Sequence, residues 1–341
     1  MKKNENGKLN ILIIFAVSLL LIVLLVLIFS DTPLKTLFFF LIGPCINLFS
    51  FGNMLNAATP LIIGALAVTI AMKAGSLNLG GEGQVYFGAF ITTITALALS
   101  HLGATGAIIA VILGSLCSGV LGAFCGFCKA KWNTNELITT FLLSCAVIPI
   151  VNYLITGPFM DPQTSLLSTR KITENMRLPL ILKPSNLSAG FLIALAFAPV
   201  IHFFLRKSKM GYEFRMAGIN ELFARYTGIN TKLNTVVSMG LSGFLYGFAG
   251  GIAVLGTYHA AIKEFSAGLG WSGLTVALIA GFSPLMAIPC AVFLAWINSG
   301  ARIAMQNTGL TYEISLIVQS VIFLLSTSLL IKNINFKKKK E

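Results

Sequence analysis

The feature that most constrains this chain is a succession of apolar runs, each about as long as a bilayer is thick, separated by short polar breaks. A helix rises about 1.5 Å per residue, so crossing ~30 Å of hydrocarbon takes ~20 apolar residues. Such runs are read at 9–29, 54–72, 83–101, 104–127, 137–156, 189–206, 236–257, 285–303 and 311–331, with a shorter one at 271–281. Inside lipid a backbone must satisfy its own hydrogen bonds, which leaves the helix as the spanning form for such runs. Hydrophobic residues make up 56% of the 341 positions and charged residues 10%, against about 25% charged in a soluble domain. The expected fold is an all-α polytopic membrane protein of about ten transmembrane helices, some short or broken, forming one domain over 1–335 with a basic tail at 336–341.

Lys2, Lys3 and Lys8 precede the first run in the manner of a secretory signal. A signal's apolar core is ~7–15 residues long and ends at a small-residue cleavage site. The run from Leu9 to Phe29 has 21 residues and meets Ser30-Asp31-Thr32-Pro33, so 9–29 is expected to stay in place as the first span. Two segments are irregular. The Phe-rich stretch 34–51 is interrupted by Gly43-Pro44 and is expected to lie at the outer face or to re-enter the membrane. Segment 271–281 ends at Gly281-Phe282-Ser283-Pro284, too soon to cross alone. Either its boundaries are misplaced, or it is a broken helix of the kind tolerated where backbone lines a cavity.

The formal charge of +13 comes from 24 basic and 11 acidic residues. It is divided among short loops and forms no patch interleaved with aromatics, which excludes nucleic acid as a partner. With the N-terminus in the cytoplasm, Lys2, Lys3, Lys8, Lys73, Lys129, Lys131, the six from Arg206 to Lys232, Lys332 and Lys337 to Lys340 fall inside, seventeen of the 24. Lys35, Arg170, Lys171, Arg177, Lys183, Lys263 and Arg302 fall outside. The positive-inside bias therefore predicts both termini in the cytoplasm, with loop 206–234 inside and the Pro-rich loop 157–187 outside.

Chemistry is sparse. GxxxxGK[ST], HExxH and GxSxG are all absent, and His101, His202 and His259 are far apart with no acidic partner at ligand spacing. Cys125 and Cys128 have CxxC spacing but sit in an apolar run with no partner ligands, so they read as small helix residues. No catalytic residue, metal site, disulfide framework or enzymatic activity is expected. Gly106, Ala110, Gly114, Ser118, Gly122, Gly126 and Ala130 recur every four residues, as do Gly243, Gly247 and Gly251. Such stripes let helices approach closely and are assigned to packing.

Two stretches are more informative. Residues 73–90 place Asn78, Glu82 and Gln84 between two apolar runs, among Gly75, Gly80, Gly81 and Gly83. A carboxylate so near lipid depth must be paired or wet. It is either a helix cap, held by the dipole of the run that follows, or part of a structured hinge bordering a path. Residues 208–229 are amphipathic and mixed in charge, with about four turns of helix-compatible sequence between Gly211 and Gly228 and with Phe214, Ala217, Glu221 and Ala224 at helical spacing. Its exposed charge and aromatics suit docking to a soluble partner.

These residues resemble the permease subunits of ABC importers for simple sugars and nucleosides. MKAGSLNLGGEGQ at 72–84 is similar to the family's FKAG-x-x-NIG-x-EGQ, GYEFRMAGINELFARYTGI at 211–229 to its G-x-x-x-RA-x-G-x-N-x-x-AARYAGI, and GLTVALIAGFSPLMAIPCAVFLAWINSGA at 273–301 to its GIAVALLG-x-x-x-P segment. The likeness covers about 50–330 in the same order, and NxGxEGQ looks like the nucleoside branch. Phe223, where the family has a small residue, and Phe282-Ser283, in place of a polar turn, depart from the pattern.

The resemblance implies a transport subunit that binds no cofactor itself, in a bacterial cytoplasmic membrane, with ATP used by a partner. Its partners would be a second permease chain, identical or homologous, an ATP-binding cassette subunit and an extracytoplasmic substrate-binding protein. Gly211, Glu213, Arg215, Gly218, Asn220, Ala224, Arg225 and Gly228 match the ATPase-coupling pattern. Asn56, Thr59, Asn78, Glu82 and Gln84 are the expected path residues. Asp161, Arg170 and Lys171 are candidates for docking the binding protein. A nucleoside is the first choice of substrate, with a simple sugar or a riboflavin-like vitamin as alternatives. An ion-coupled secondary transporter would instead need carboxylates inside the bundle, where only Glu82 qualifies.

Overall fold

The computed structural model describes residues 2–308, 311 and 313–338. The described residues form α1 (Lys2–Phe29), α2 (Pro33–Leu41), α3 (Leu48–Lys73), α4 (Gly81–Ala98), α5 (Gly103–Trp132), α6 (Glu136–Thr156), α7 (Gly190–Lys207), α8 (Lys209–Ile219), α9 (Glu221–Tyr226), α10 (Thr231–Ala253), α11 (Leu269–Ile279), α12 (Pro284–Thr308) and α13 (Glu313–Lys338). A small antiparallel hairpin, β1 (Leu180–Leu182) and β2 (Leu187–Ser188), lies between α6 and α7. Of the expected tail, 339–341 lie outside the described residues.

Local chemistry sets the helix starts. Asn47, Asn135 and Asn230 each accept a hydrogen bond from an amide in the first turn of α3, α6 and α10, at 2.7, 2.9 and 3.0 Å. Such caps satisfy donors that a helix leaves without partners. Pro33 and Pro284 open α2 and α12, where a missing N–H costs nothing.

Every residue of α3 from Leu61 to Ala71 is buried. A helix apolar all round belongs at the centre of a bundle, and α3 packs there against α7, α10, α11 and α12. The peripheral helices are the reverse. Ile108, Ile112, Leu116 and Val120 on α5, Leu142 and Ile150 on α6, and Leu192, Val200 and Phe203 on α7 all point outward. An apolar exterior of this extent is solvated by lipid and not by water. Helices of sufficient length and hydropathy to cross a membrane cover Leu48–Lys73, Ser100–Trp132, Glu136–Thr156, Gly190–Lys207, Thr231–Tyr258 and Pro284–Thr308, which makes the protein multi-pass.

The small-residue stripes meet each other. A Cβ on Gly126 would stand 2.9 Å from Val236 Cα, and one on Gly247 would reach Ser115 Cα at 3.0 Å. The stripes of α5 and α10 are thus two sides of one crossing, and α4 closes on it where Gly88 abuts Gly247.

A helix stands at each segment read as a span, but the irregular parts are more specific than expected. Stretch 34–51 divides into α2, a tight turn at Gly43–Cys45 and the first turn of α3, which starts at Leu48 rather than 54. The Trp296 indole donates to the Leu41 carbonyl at 3.1 Å, tying α2 to α12. Two other segments fold back into the bundle from opposite ends. After α3, Gly75 (φ 80°) reverses the chain, and 76–80 climbs inward so that α4 begins against the ring of Tyr246, midway along α10. After α10, a π-helical turn at Val254–Tyr258 leads into 259–268, which turns inward so that α11 begins beside Glu82. With eleven residues α11 runs about 16 Å, half a bilayer. The broken-helix reading of 271–281 is therefore what the fold contains.

Candidate functional site

A cavity of about 500 Å³ opens between the first half of α3, the hairpin, the 257–272 segment, α12 and α13. Asn53, Asn56 and Thr59 reach it from α3, and Asn186 and Ser188 from the hairpin. Thr257, Ser266 and Ser272 come from the inward-turning segment and α11, Asn298, Arg302 and Gln306 from α12, and Gln319 from α13. Phe49, Tyr258 and Phe265 supply aromatic surface. Among the described residues lining it there is no carboxylate and one cation, Arg302.

Of the five expected path residues, two line this cavity. Asn56 donates to Thr257 Oγ1 at 2.9 Å, and Thr59 is 2% exposed with its hydroxyl turned to the Leu55 carbonyl at 3.4 Å. The remaining three lie deeper, where α4 begins. Asn78, 1% exposed, donates to Gln84 Oε1 at 2.7 Å and to Ser242 Oγ at 3.1 Å, and accepts from the Gly80 amide at 2.9 Å. Gly83 donates to Ser144 Oγ at 2.7 Å. This buried polar network joins α4, α6 and α10.

Of the two readings open for Glu82, a cap of its own helix and a hinge, the contacts favour the hinge. Glu82 sits in the first turn of α4, as a cap would, but it does not bond its own helix. Its two oxygens accept from the amides of Gly268 at 2.9 Å and Gly270 at 2.8 Å, at the start of α11. One turn further on α4, the Tyr86 hydroxyl accepts from the Glu264 amide at 3.0 Å and donates to Asn152 Oδ1 at 2.6 Å. Positions i and i+4 share a helix face, so one face of α4 grips 264–270. The adjoining Phe265, Ser266 and Leu269 line the cavity. The anion sits at the N-termini of both α4 and α11, where helix dipoles favour it.

Asn298 lines the cavity, and its Oδ1 is buried without a partner among the described residues. Asn152 does bond across helices, to Tyr86 and to Glu264 Oε1 at 3.3 Å.

At the far end of α3, residues 208–229 form two helices rather than one. Asn220 leaves the helical region (φ −152°) and caps α9 by accepting from the Phe223 amide at 3.0 Å. Ser208 caps α8 by accepting from the Gly211 amide at 2.9 Å. The coupling residues divide by role in the fold. Gly211, Ala217 and Ala224 pack inward. Glu213 lies part-buried on α8. Gly218 abuts the Lys73 carbonyl and stands 3.0 Å, at its Cβ position, from the Gly75 amide. Arg215 reaches the Gly211 and Arg206 carbonyls at 3.4 Å. Arg225 pairs with Glu221 at 2.5 Å and with Thr231 Oγ1 at 3.0 Å. Gly228 (φ 84°) turns the chain towards α10. Outward, Tyr212, Ile219, Leu222, Phe223 and Tyr226 are all exposed. Beside this end, Lys129 pairs with Glu136 at 2.7 Å and bonds Ser76 Oγ at 3.0 Å.

At the hairpin end, His259 follows the π-helical turn with φ 57° and a buried Nδ1 that has no partner among the described residues. Burial first, then the nearby Arg177 and Lys171 charges, hold its imidazole below the ordinary value.

Sequence reasoning missed Thr257, Ser272, Arg302, Gln306 and Gln319. The available signal was a polar residue inside an apolar run, as at Asn298 and Gln319; Thr257 carried none, because a π-helical turn has no sequence mark of its own.

The family model described as the permease component of the branched-chain amino acid transport system matches residues 50–327. The chain is 32% identical to a probable riboflavin import permease of Treponema pallidum over 333 residues, 95% of this chain and 85% of the relative. It is 30% identical to a guanosine ABC transporter permease of Bacillus subtilis over 283 residues, 81% of this chain and 80% of the relative. A nucleoside ABC transporter permease of Lactococcus lactis is 28% identical over 294 residues, 83% of this chain and 80% of the relative.

Proposed function

We propose that this chain, which belongs to the ABC permease family of the branched-chain amino acid transport system type, forms the path of an ATP-driven importer for a nucleoside or a nucleoside-like solute. The observation that carries the substrate class is the cavity lining. Amides and hydroxyls suit the edges of a heterocycle and the hydroxyls of a sugar, and Tyr258 and Phe265 suit the faces of a ring. With no carboxylate among its described residues, the lining gives a cationic solute no counter-charge. Its volume of about 500 Å³ lies within the ~300–1,000 Å³ range of small-molecule sites.

In this reading ten helices cross a bacterial cytoplasmic membrane, both termini and α8–α9 face the cytoplasm, and the cavity opens outward. Two permease chains frame the path. A soluble binding protein delivers solute at the hairpin end, where Asp161, Arg170 and Lys171 lie. An ATPase subunit docks on the exposed apolar residues of α8 and α9 and hydrolyses ATP; this chain performs no covalent chemistry. Asn56 and Thr59 contact solute, while Asn78 and Gln84 support the floor beneath them.

A riboflavin-like vitamin is the second reading, favoured by the riboflavin import permease that matches 95% of the chain. Reconstitution of the chain with its ATPase and binding protein in proteoliposomes tests both. ATP-dependent uptake of labelled guanosine, blocked by excess nucleosides and not by riboflavin or glucose, is expected. The reverse competition pattern selects the vitamin, and uptake driven by an ion gradient without ATP overturns the importer.

A further inference from the structure

We infer that Glu82 is a positioning residue that carries movement of the α8–α9 end to the cavity wall. The inference rests on the ABC permease reading for what moves α8, and on contacts within the chain for the rest.

The contacts are continuous. Gly218 on α8 abuts the Lys73 carbonyl and the Gly75 amide, so α8 cannot shift without displacing the turn that ends α3. That turn is also held by Lys129, which bonds the Gly75 carbonyl at 3.4 Å and Ser76 Oγ at 3.0 Å. Two residues on from Ser76, Asn78 bonds Gln84 and Ser242 and locks the segment to the start of α4. Glu82 lies within that locked turn and grips Gly268 and Gly270. Between and beside those glycines stand Ala267 and Leu269, which line the cavity.

The two inward-turning segments come from opposite ends of the bundle and meet at this carboxylate. Beside it the backbones are in contact, since a Cβ at Gly270 would stand 2.8 Å from Glu82 Cα, and one turn on the Tyr86 hydroxyl accepts from the Glu264 amide at 3.0 Å. Backbone contact transmits a push. The carboxylate's two bonds transmit a pull as well, because separating the segments would break two charge-assisted hydrogen bonds in a part-buried site. A cap on its own helix would have bound α4 to nothing. Bonding α11 makes the first turn of α4 and the cavity wall move together.

The test reads the clamp and the coupling separately. Ser266 lines the cavity and is 5% exposed. In the full chain, S266C is labelled with a small polar thiol reagent and modification at that position is followed by mass spectrometry. E82Q keeps the shape but loses the charge and one acceptor, and labelling is expected to speed up about tenfold or more. Tyr86→Phe, which removes only the neighbouring hydroxyl, guards against misfolding and is expected to give a smaller rise in the same direction. Equal rates in all three chains overturn the clamp. In the complex with its ATPase, nucleotide binding is expected to change the S266C rate at least threefold with Glu82 present and not in E82Q. An equal nucleotide response in both overturns the coupling. Failure of the wild-type complex to transport with ATP would instead reject the importer reading, and the labelling of the chain alone would still decide the clamp.

Discussion

Gly83→Ala tests whether the first turn of α4 is seated as tightly as its contacts require. A Cβ at Gly83 would lie 2.7 Å from Ser144 Oγ, 2.8 Å from Ser144 Cα and 3.0 Å from Ser144 O. Carbon atoms rest at about 3.5–4.0 Å, so α4 must withdraw from α6 by about 1 Å. Overpacking of this kind costs about 1–3 kcal/mol. The Gly83 amide also bonds Ser144 Oγ at 2.7 Å, and stretching that bond removes about 0.5–1.5 kcal/mol more. Against this, alanine gains at most about 1 kcal/mol of helix propensity. The net expectation is about 1–3 kcal/mol of destabilisation, measured by SDS titration of the purified full-length chain. Two companions make the reasoning specific. Ser144→Gly in the Gly83→Ala chain removes the hydroxyl but leaves Cα and O in place, so it should restore only a minor part. Gly64→Ala meets Gly273 Cα at 3.4 Å and the Tyr246 ring at 3.6 Å, ordinary contact, and should leave stability unchanged or raise it by up to about 1 kcal/mol of helix propensity. Wild-type stability in Gly83→Ala, or full rescue by Ser144→Gly, would refute the backbone-on-backbone seat.

Asn78→Ala and Gln84→Ala should be non-additive, because the two amides bond each other at 2.7 Å. Cross-helix hydrogen bonds in membranes couple by ~0.6 kcal/mol on average and up to ~1.7. The same titration of the double-mutant cycle should give a coupling near the upper figure, and additivity within ~0.3 kcal/mol refutes the network. Arg225→Glu replaces a pair with Glu221 by two like charges one turn apart, so α9 should loosen; the chain should still insert while ATP-driven uptake falls at least tenfold, and normal uptake would dismiss docking at α9. The His259 imidazole is held below its unfolded value of about 6.5, so the unfolded chain takes up the proton first. Stability is then greatest above about pH 6.5 and falls as the pH drops towards the folded value. The thermal midpoint should decline between pH 7.5 and 5.5 and decline less in His259→Gln, whereas equal declines would clear His259.

How far the sequence foretold the molecule depends on where each residue's partners lie. Hydropathy located the helices because a lipid-facing helix needs nothing beyond its own residues to announce itself, as along α5 and α7. The helical character of 208–229 was legible for a related reason, its own periodicity, whereas its division into α8 and α9 at Asn220 was not read, although the partners of the Ser208 and Asn220 caps stand only three residues away. Glu82 stayed open between a cap and a hinge because its signature, a carboxylate just after glycines at a helix start, is the same whether the amides it meets are its own or belong to Gly268 and Gly270, 186 and 188 positions along the chain. Asn298 is ambiguous in another way, since a polar residue in a span reads as a cross-helix bond until the fold shows a cavity there. Both positions fall where the two inward-turning segments meet or border open space. In those places the backbone leaves its helix and cannot satisfy itself, so its partners must be long-range, and long-range partners are what periodicity and spacing do not encode. That links the illegible positions to function. A solute path needs polar groups that the chain has not already matched among near neighbours, so the residues hardest to place from the sequence are the ones lining the cavity and holding its wall.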